Sequence, residues 1–252
     1  MPDATINGHK HYWEDKGKGA SIVMLHGAAG SGHYFEGVAS QLADAGFRVI
    51  VPDMRGMGRS EHVDDLPPSA WVDDLLGLLD HLAIDKAVVH GVSLGSRVAL
   101  RFALDHPSRT LGVVLDAFII ANDPAGNAQL NQGFNPDTMP EERKEAAKRQ
   151  HGDDWATVLA NYFRIRNKPD LQQHFNLRPL AAQCQVPALI IRGDNVPDPV
   201  HPLDHAIEGH KTIPNSQLTI YPNGASTLTT ANPDVFVHLV KRFAAELAGN
   251  PA

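Results

Sequence analysis

Ser93 lies in Gly91-Val92-Ser93-Leu94-Gly95, between the apolar run Ala87-Val88-Val89 and a helical pattern that runs from Leu94 to His106. A serine held up at a sharp strand-to-helix turn is a candidate nucleophile. The tight turn excludes side chains two residues before and after it, so Gly91 and Gly95 read as steric requirements. The helix opening at Leu94 has N–H groups without intrahelical partners, and these can stabilise an oxyanion. A hydroxyl stays a weak nucleophile until a base takes its proton. The chemistry therefore turns on which histidine, if any, reaches Ser93.

The surrounding elements can position such a residue. Buried strands are expected at Ser21–Leu25, Phe47–Val51, Ala87–Val89, Leu111–Leu115, Ala188–Ile191 and Gln217–Ile220. Helices are expected at Phe35–Ala45, Trp71–Leu82, Leu94–His106 and Asp234–Leu247. Continuous apolar strands alternating with helices indicate a parallel sheet covered on both faces. The fold class is α/β, doubly wound, with its ligand site at the carboxyl ends of the strands. From about Phe118 to Cys184 no strand pattern occurs. Asn122 to Asn135 reads as an irregular loop, Pro140-Glu141-Glu142 starts a helix, and Asp153-Asp154 caps another. The stretch 118–184 is expected to be a small helical cap inserted in a core made of 1–117 and 185–252.

Composition limits the partners. A formal charge of −7 disfavours nucleic acid. Cys184 is the only cysteine, which excludes an intrachain disulfide and fits a reducing compartment. The polar start of the chain has no signal-peptide pattern, and no apolar run approaches the roughly 18 residues of a membrane helix. A cytoplasmic protein without a membrane partner is expected. His201 and His205 have the i, i+4 spacing of metal ligands, but no third ligand accompanies them, so no metal site is expected. No phosphate loop or dinucleotide fingerprint is present, and no cofactor is expected.

The chain resembles the α/β-hydrolase superfamily over nearly its whole length. Three motifs carry the resemblance: the Ser93 turn, Leu25-His26-Gly27-Ala28-Ala29-Gly30-Ser31, and Asp53-Met54-Arg55-Gly56-Met57-Gly58-Arg59-Ser60. The resemblance implies a serine esterase-like enzyme with an oxyanion hole made by the N–H groups of Ala28 and Leu94. It implies a structural role for His26, and His90 reads as a packed histidine. The family's acid follows the next-to-last strand. Asp198, in Asp198-Pro199-Val200-His201-Pro202, fits that half of the motif, with Asp194 as the fallback; counting from Gly193 instead reaches Val196.

The family's histidine follows the last strand, and here the pattern breaks. Aligned on Gly224-Ala225 the position is Thr227; counted back from Pro233 it is Ser226. Neither hydroxyl can serve as a base at neutral pH. Three readings follow. The chain is an acyl hydrolase of a small-molecule substrate, impaired by loss of its base. Alternatively His33, His201 or His205 supplies the imidazole. In the third, the chain is a ligand-binding relative without catalysis. The impaired hydrolase is the leading expectation, with His33, Trp155 and Phe163 lining the substrate site.

Overall fold

The computed structural model describes residues 3–195 and 197–249. Val196, one of the counted acid positions, lies outside the described residues. The strands are β1 (Asp3–Ile6), β2 (His9–Gly17), β3 (Ser21–Leu25), β4 (Arg48–Pro52), β5 (Ala87–Val92), β6 (Thr110–Asp116), β7 (Ala188–Gly193) and β8 (Ser216–Tyr221). They form one sheet in the order β1-β2-β4-β3-β5-β6-β7-β8. From β4 to β8 every neighbouring pair is parallel; β1–β2 and β2–β4 are antiparallel. β3, β5 and β7 are buried throughout, which explains their unbroken apolar runs.

The helices are α1 (Glu36–Asp44), α2 (Ala70–His81), α3 (Leu94–Asp105), α4 (Pro124–Gly133), α5 (Glu141–His151), α6 (Trp155–Arg166), α7 (Pro169–His174), α8 (Leu203–Thr212), α9 (Leu228–Ala231) and α10 (Pro233–Leu247). One buried cluster joins α2 and α3 to one sheet face, and a second joins α1 and α10 to the other. Helices on both faces of a mostly parallel sheet are the expected doubly wound arrangement. No helix of the described residues is long and apolar enough to cross a membrane.

Two elements differ from the sequence expectation. The hairpin β1–β2 is unforeseen because β2 is polar, with only His11 and Trp13 buried. Its signal was the turn Asn7-Gly8, whose φ angles of 52° and 82° are those of a two-residue hairpin loop. Asn122 to Asn135 is not an irregular loop but contains α4. Asp123 caps it by accepting from the Gly126 N–H at 2.8 Å, and Pro124 occupies its first turn. Its weak apolar face hid it from a periodicity test. Between β6 and β7, the described residues carry helices α4 to α7 and no strand. Asp154 precedes α6 without capping it; its carboxylate pairs instead with the His62 Nδ1 at 2.7 Å.

Candidate active site

The turn between β5 and α3 presents Ser93 at φ 54° and ψ −111°, a strained conformation for a residue with a side chain. The glycines allow it. A Cβ on Gly91 would lie 2.0 Å from the Gly95 carbonyl oxygen, and one on Gly95 would lie 2.2 Å from the Leu25 oxygen. The loop after β3 closes over the same place: a Cβ on Gly27 would touch the Ser93 Cβ at 3.6 Å. Ala28, Ser93 and Leu94 line one pocket. Leu94 is the first residue of α3, so its N–H has no intrahelical acceptor. Among the described residues the Ala28 N–H makes no hydrogen bond.

His201 reaches the serine. Ser93 Oγ lies 2.9 Å from His201 Nε2, and His201 Nδ1 lies 3.2 Å from Asp198 Oδ2. The tautomer that fits has Nδ1–H donating to the carboxylate and Nε2 accepting from the serine hydroxyl. The two residues are three apart in sequence and can pair because Asp198 folds the chain back. Its Oδ1 accepts from the N–H groups of Val200 and His201, both at 3.0 Å. α4 braces this loop, since Gly126 packs so closely on Pro199 that a Cβ would lie 2.5 Å from the Pro199 oxygen.

Ser226 also belongs to the array. Its hydroxyl donates to Asp198 Oδ2 at 2.5 Å and accepts from Arg192 Nη2 at 3.0 Å. Arg192 is 1% exposed and also donates to the carbonyls of Gly193 and Asn195. Burial pushes the Asp198 carboxyl upward. The hydrogen bonds from His201 and Ser226 outweigh that and hold it well below the usual carboxylate range. A carboxyl held below its usual range is ionised at neutral pH, as suits a group that orients an imidazole and stabilises an imidazolium.

The other anticipated residues fall elsewhere. Thr227 precedes α9, and its hydroxyl lies 3.3 Å from Thr230 Oγ1. Asp116, at the end of β6, fixes that segment by accepting from the N–H groups of Leu228 (3.0 Å) and Thr229 (2.9 Å) and from the Thr229 hydroxyl. Asp194 accepts from the Gly224 N–H at 3.3 Å, on the turn after β8 rather than at His201. His33 does not line the Ser93 pocket; it is exposed and pairs with Glu36. Trp155 packs against the cap cluster of Met139, Ala147 and Leu159, and Phe163 is 39% exposed in a separate groove. Helical geometry separates them: on α6 the face that turns to the core carries Val158, Tyr162 and Ile165. Tyr162 does line the Ser93 pocket, with Phe175 and Trp71.

Other histidines are held away from Ser93 by hydrogen bonds or by packing. His26 Nδ1 donates to the Gly27 carbonyl and its Nε2 accepts from the Met54 N–H. His90 is wholly buried between Phe35 and Phe236, and burial pushes it down to about 3. His205 is buried on α8. His151, which the sequence did not single out, accepts from the Gly58 N–H and donates to the Ala29 carbonyl, tying α5 to the loop over Ser93.

The profile of the alpha/beta hydrolase fold family matches residues 20–176. The chain belongs to the α/β-hydrolase family. It is 26% identical over 269 aligned positions to a 2-hydroxy-6-oxo-6-phenylhexa-2,4-dienoate hydrolase of Burkholderia cepacia, covering 95% of this chain and 93% of the relative. It is also 26% identical to a 2-hydroxymuconate semialdehyde hydrolase of Pseudomonas putida, over 95% and 92% of the two chains. Among solved structures, a meta-cleavage product hydrolase of Pseudomonas fluorescens superposes with a TM-score of 0.76 at 20% identity, covering 98% of each chain. A thermophilic esterase of Thermogutta terrifontis does so with a TM-score of 0.75 at 21% identity, again over 98% of each.

Proposed function

We propose that this α/β-hydrolase cleaves a carboxylic ester or related acyl bond of a small molecule through an acyl-enzyme on Ser93. His201 is the base, Asp198 orients it, and the N–H groups of Leu94 and Ala28 bind the oxyanion. The observation that carries this reading is the 2.9 Å contact between Ser93 Oγ and His201 Nε2, aligned with Asp198 on the other ring nitrogen. Ser93 attacks the carbonyl carbon as its proton passes to His201. The tetrahedral intermediate collapses when His201 returns that proton to the leaving group. Water, deprotonated by the same imidazole, then releases the acid and regenerates the hydroxyl.

The expectation of an impaired chain rested on Thr227 and Ser226 standing where an imidazole was sought. His201 removes its premise, so the reading favoured here is an active enzyme. Relatives named as hydrolases of small molecules support it. The test is labelling with a fluorophosphonate probe. Mass spectrometry should find the adduct on Ser93, and Ser93→Ala should abolish it. Retained ligand binding without labelling would replace this reading by a non-catalytic binding protein.

A further inference from the structure

The Ser93 pocket carries positive charge that no protein carboxylate answers. Arg97 and Arg166 both line it, and none of its lining residues is Asp or Glu. Both are buried, at 7% exposure each. Arg97, four residues after the serine, donates to the Phe175 carbonyl through Nε (3.1 Å) and Nη2 (2.6 Å), and to Asn122 Oδ1 through Nη1 (2.7 Å). Arg166, from α6, donates to the side-chain oxygens of Asn131 and Asn127. All these acceptors are neutral.

Most other arginines pair with a carboxylate; among the described residues Arg143, Arg149 and Arg164 do not, but these three are exposed. Arg55, the buried arginine under α2, is paired with Asp74 through two bonds of 2.8 and 2.6 Å. Arg48, Arg59, Arg101, Arg109 and Arg178 each pair with a carboxylate as well. Arg192 is linked to Asp198 through Ser226. Burying a guanidinium without a counter-ion is costly, and the chain has a surplus of carboxylates with which to avoid that cost. Two cations facing one pocket also repel each other. A carboxylate of the ligand would relieve both costs, because a guanidinium presents paired donors that match its two oxygens. Each guanidinium has five N–H donors, and the protein contacts named above use three on Arg97 and two on Arg166.

We propose that Arg97 and Arg166 form a carboxylate-binding subsite, so that the substrate cleaved at Ser93 is an anion carrying a free carboxylate beside its scissile acyl bond. This specifies the substrate class of the hydrolysis proposed above and rests on it. The other groups lining the pocket, such as Ile119, Leu130 and Leu171, would enclose the apolar span between the two ends.

Two esters of equal length test the subsite: the mono-p-nitrophenyl ester of glutaric acid and p-nitrophenyl pentanoate. The native chain should favour the anionic ester at least tenfold in kcat/KM, and Arg166→Gln and Arg97→Gln should each bring the ratio close to one. A second readout does not involve Ser93 chemistry. Glutarate should raise the Tm of the native chain where glutaramide does not, and Arg166→Gln should abolish that shift. Absence of Ser93-dependent turnover of both esters together with a glutarate shift would overturn the hydrolase reading and retain the subsite. If Arg97→Gln does not fold, Arg166→Gln and the native ratio still decide. A native preference for the neutral ester, or a glutarate response that survives Arg166→Gln, would make the arginines tethers of the cap and overturn the proposal.

Discussion

Replacing His201 by alanine should lower Ser93-dependent ester turnover by about 10⁵- to 10⁶-fold, equivalent to about 7–8 kcal/mol of barrier. The magnitude follows from the geometry. The serine hydroxyl has a hydrogen-bonded imidazole at 2.9 Å and no other base bonded to it among the described residues. Without it, the proton must go to water. The same change removes the general acid for the leaving group and the base for deacylation. What remains is binding and the two backbone donors, which alone sustain roughly 10³–10⁴ over water. The assay is p-nitrophenyl ester hydrolysis by native, His201→Ala, Ser93→Ala and the double variant. Because serine and histidine act as a unit, the double variant should be no slower than either single one. Thr227→His supplies an imidazole where the family motif would put it. It should bring no large gain to the native chain, because His201 Nε2 already accepts from the serine hydroxyl. Turnover that survives His201→Ala within tenfold, or a hundredfold gain on Thr227→His, would refute the assignment of His201 as base.

Ser226→Ala removes a 2.5 Å bond to Asp198 and leaves Arg192 Nη2 without its partner there. It should lower kcat about tenfold, the equivalent of one hydrogen bond, with little change in KM, and Ser226→Thr should recover most of the loss. An unchanged kcat would exclude Ser226 as a positioning residue. His151 predicts an acid-sensitive contact. Burial pushes it down from 6.5 to about 4, so between those values the unfolded chain binds a proton that the folded chain refuses. Its contribution, about 3 kcal/mol, is therefore present above pH 6.5 and lost as pH falls toward 4. Tm measured from pH 7 to 4.5 should fall less steeply for His151→Gln than for the native chain, and identical slopes would contradict this role.

Much of this protein follows from local sequence. Strand β3 is legible to the residue and β5 to β7 within a few residues, because strands buried on both faces are largely apolar, and the half-exposed edge strand β8 is legible from its β-branched run. The Ser93 turn was legible because backbone crowding dictates Gly91 and Gly95. The Asp198-Pro199 turn is legible as a local pattern, and the structure folds it so that Asp198 accepts from the Val200 and His201 N–H groups. The hairpin β1–β2 and helix α4 carry no apolar period, and only the turn Asn7-Gly8 and the cap Asp123-Pro124 mark them in the sequence.

Tertiary structure alone decided which imidazole meets Ser93. His201 is 108 positions away from Ser93 in sequence, and the Asp198 turn beside it does not by itself say that the imidazole reaches the serine. The choice is made by the Asp198 turn, by α4 packed on Pro199 and by the parallel register that sets β5 beside β6 and β6 beside β7. The pairing of Arg97 with Arg166 has the same origin. One stands on α3 after the serine and the other on α6, and only the packing of these helices puts both charges into one pocket. Local sequence determines backbone geometry through sterics and burial. The meeting of distant charged and titratable groups depends on how the elements pack, a non-local fact that composition, period and spacing do not encode.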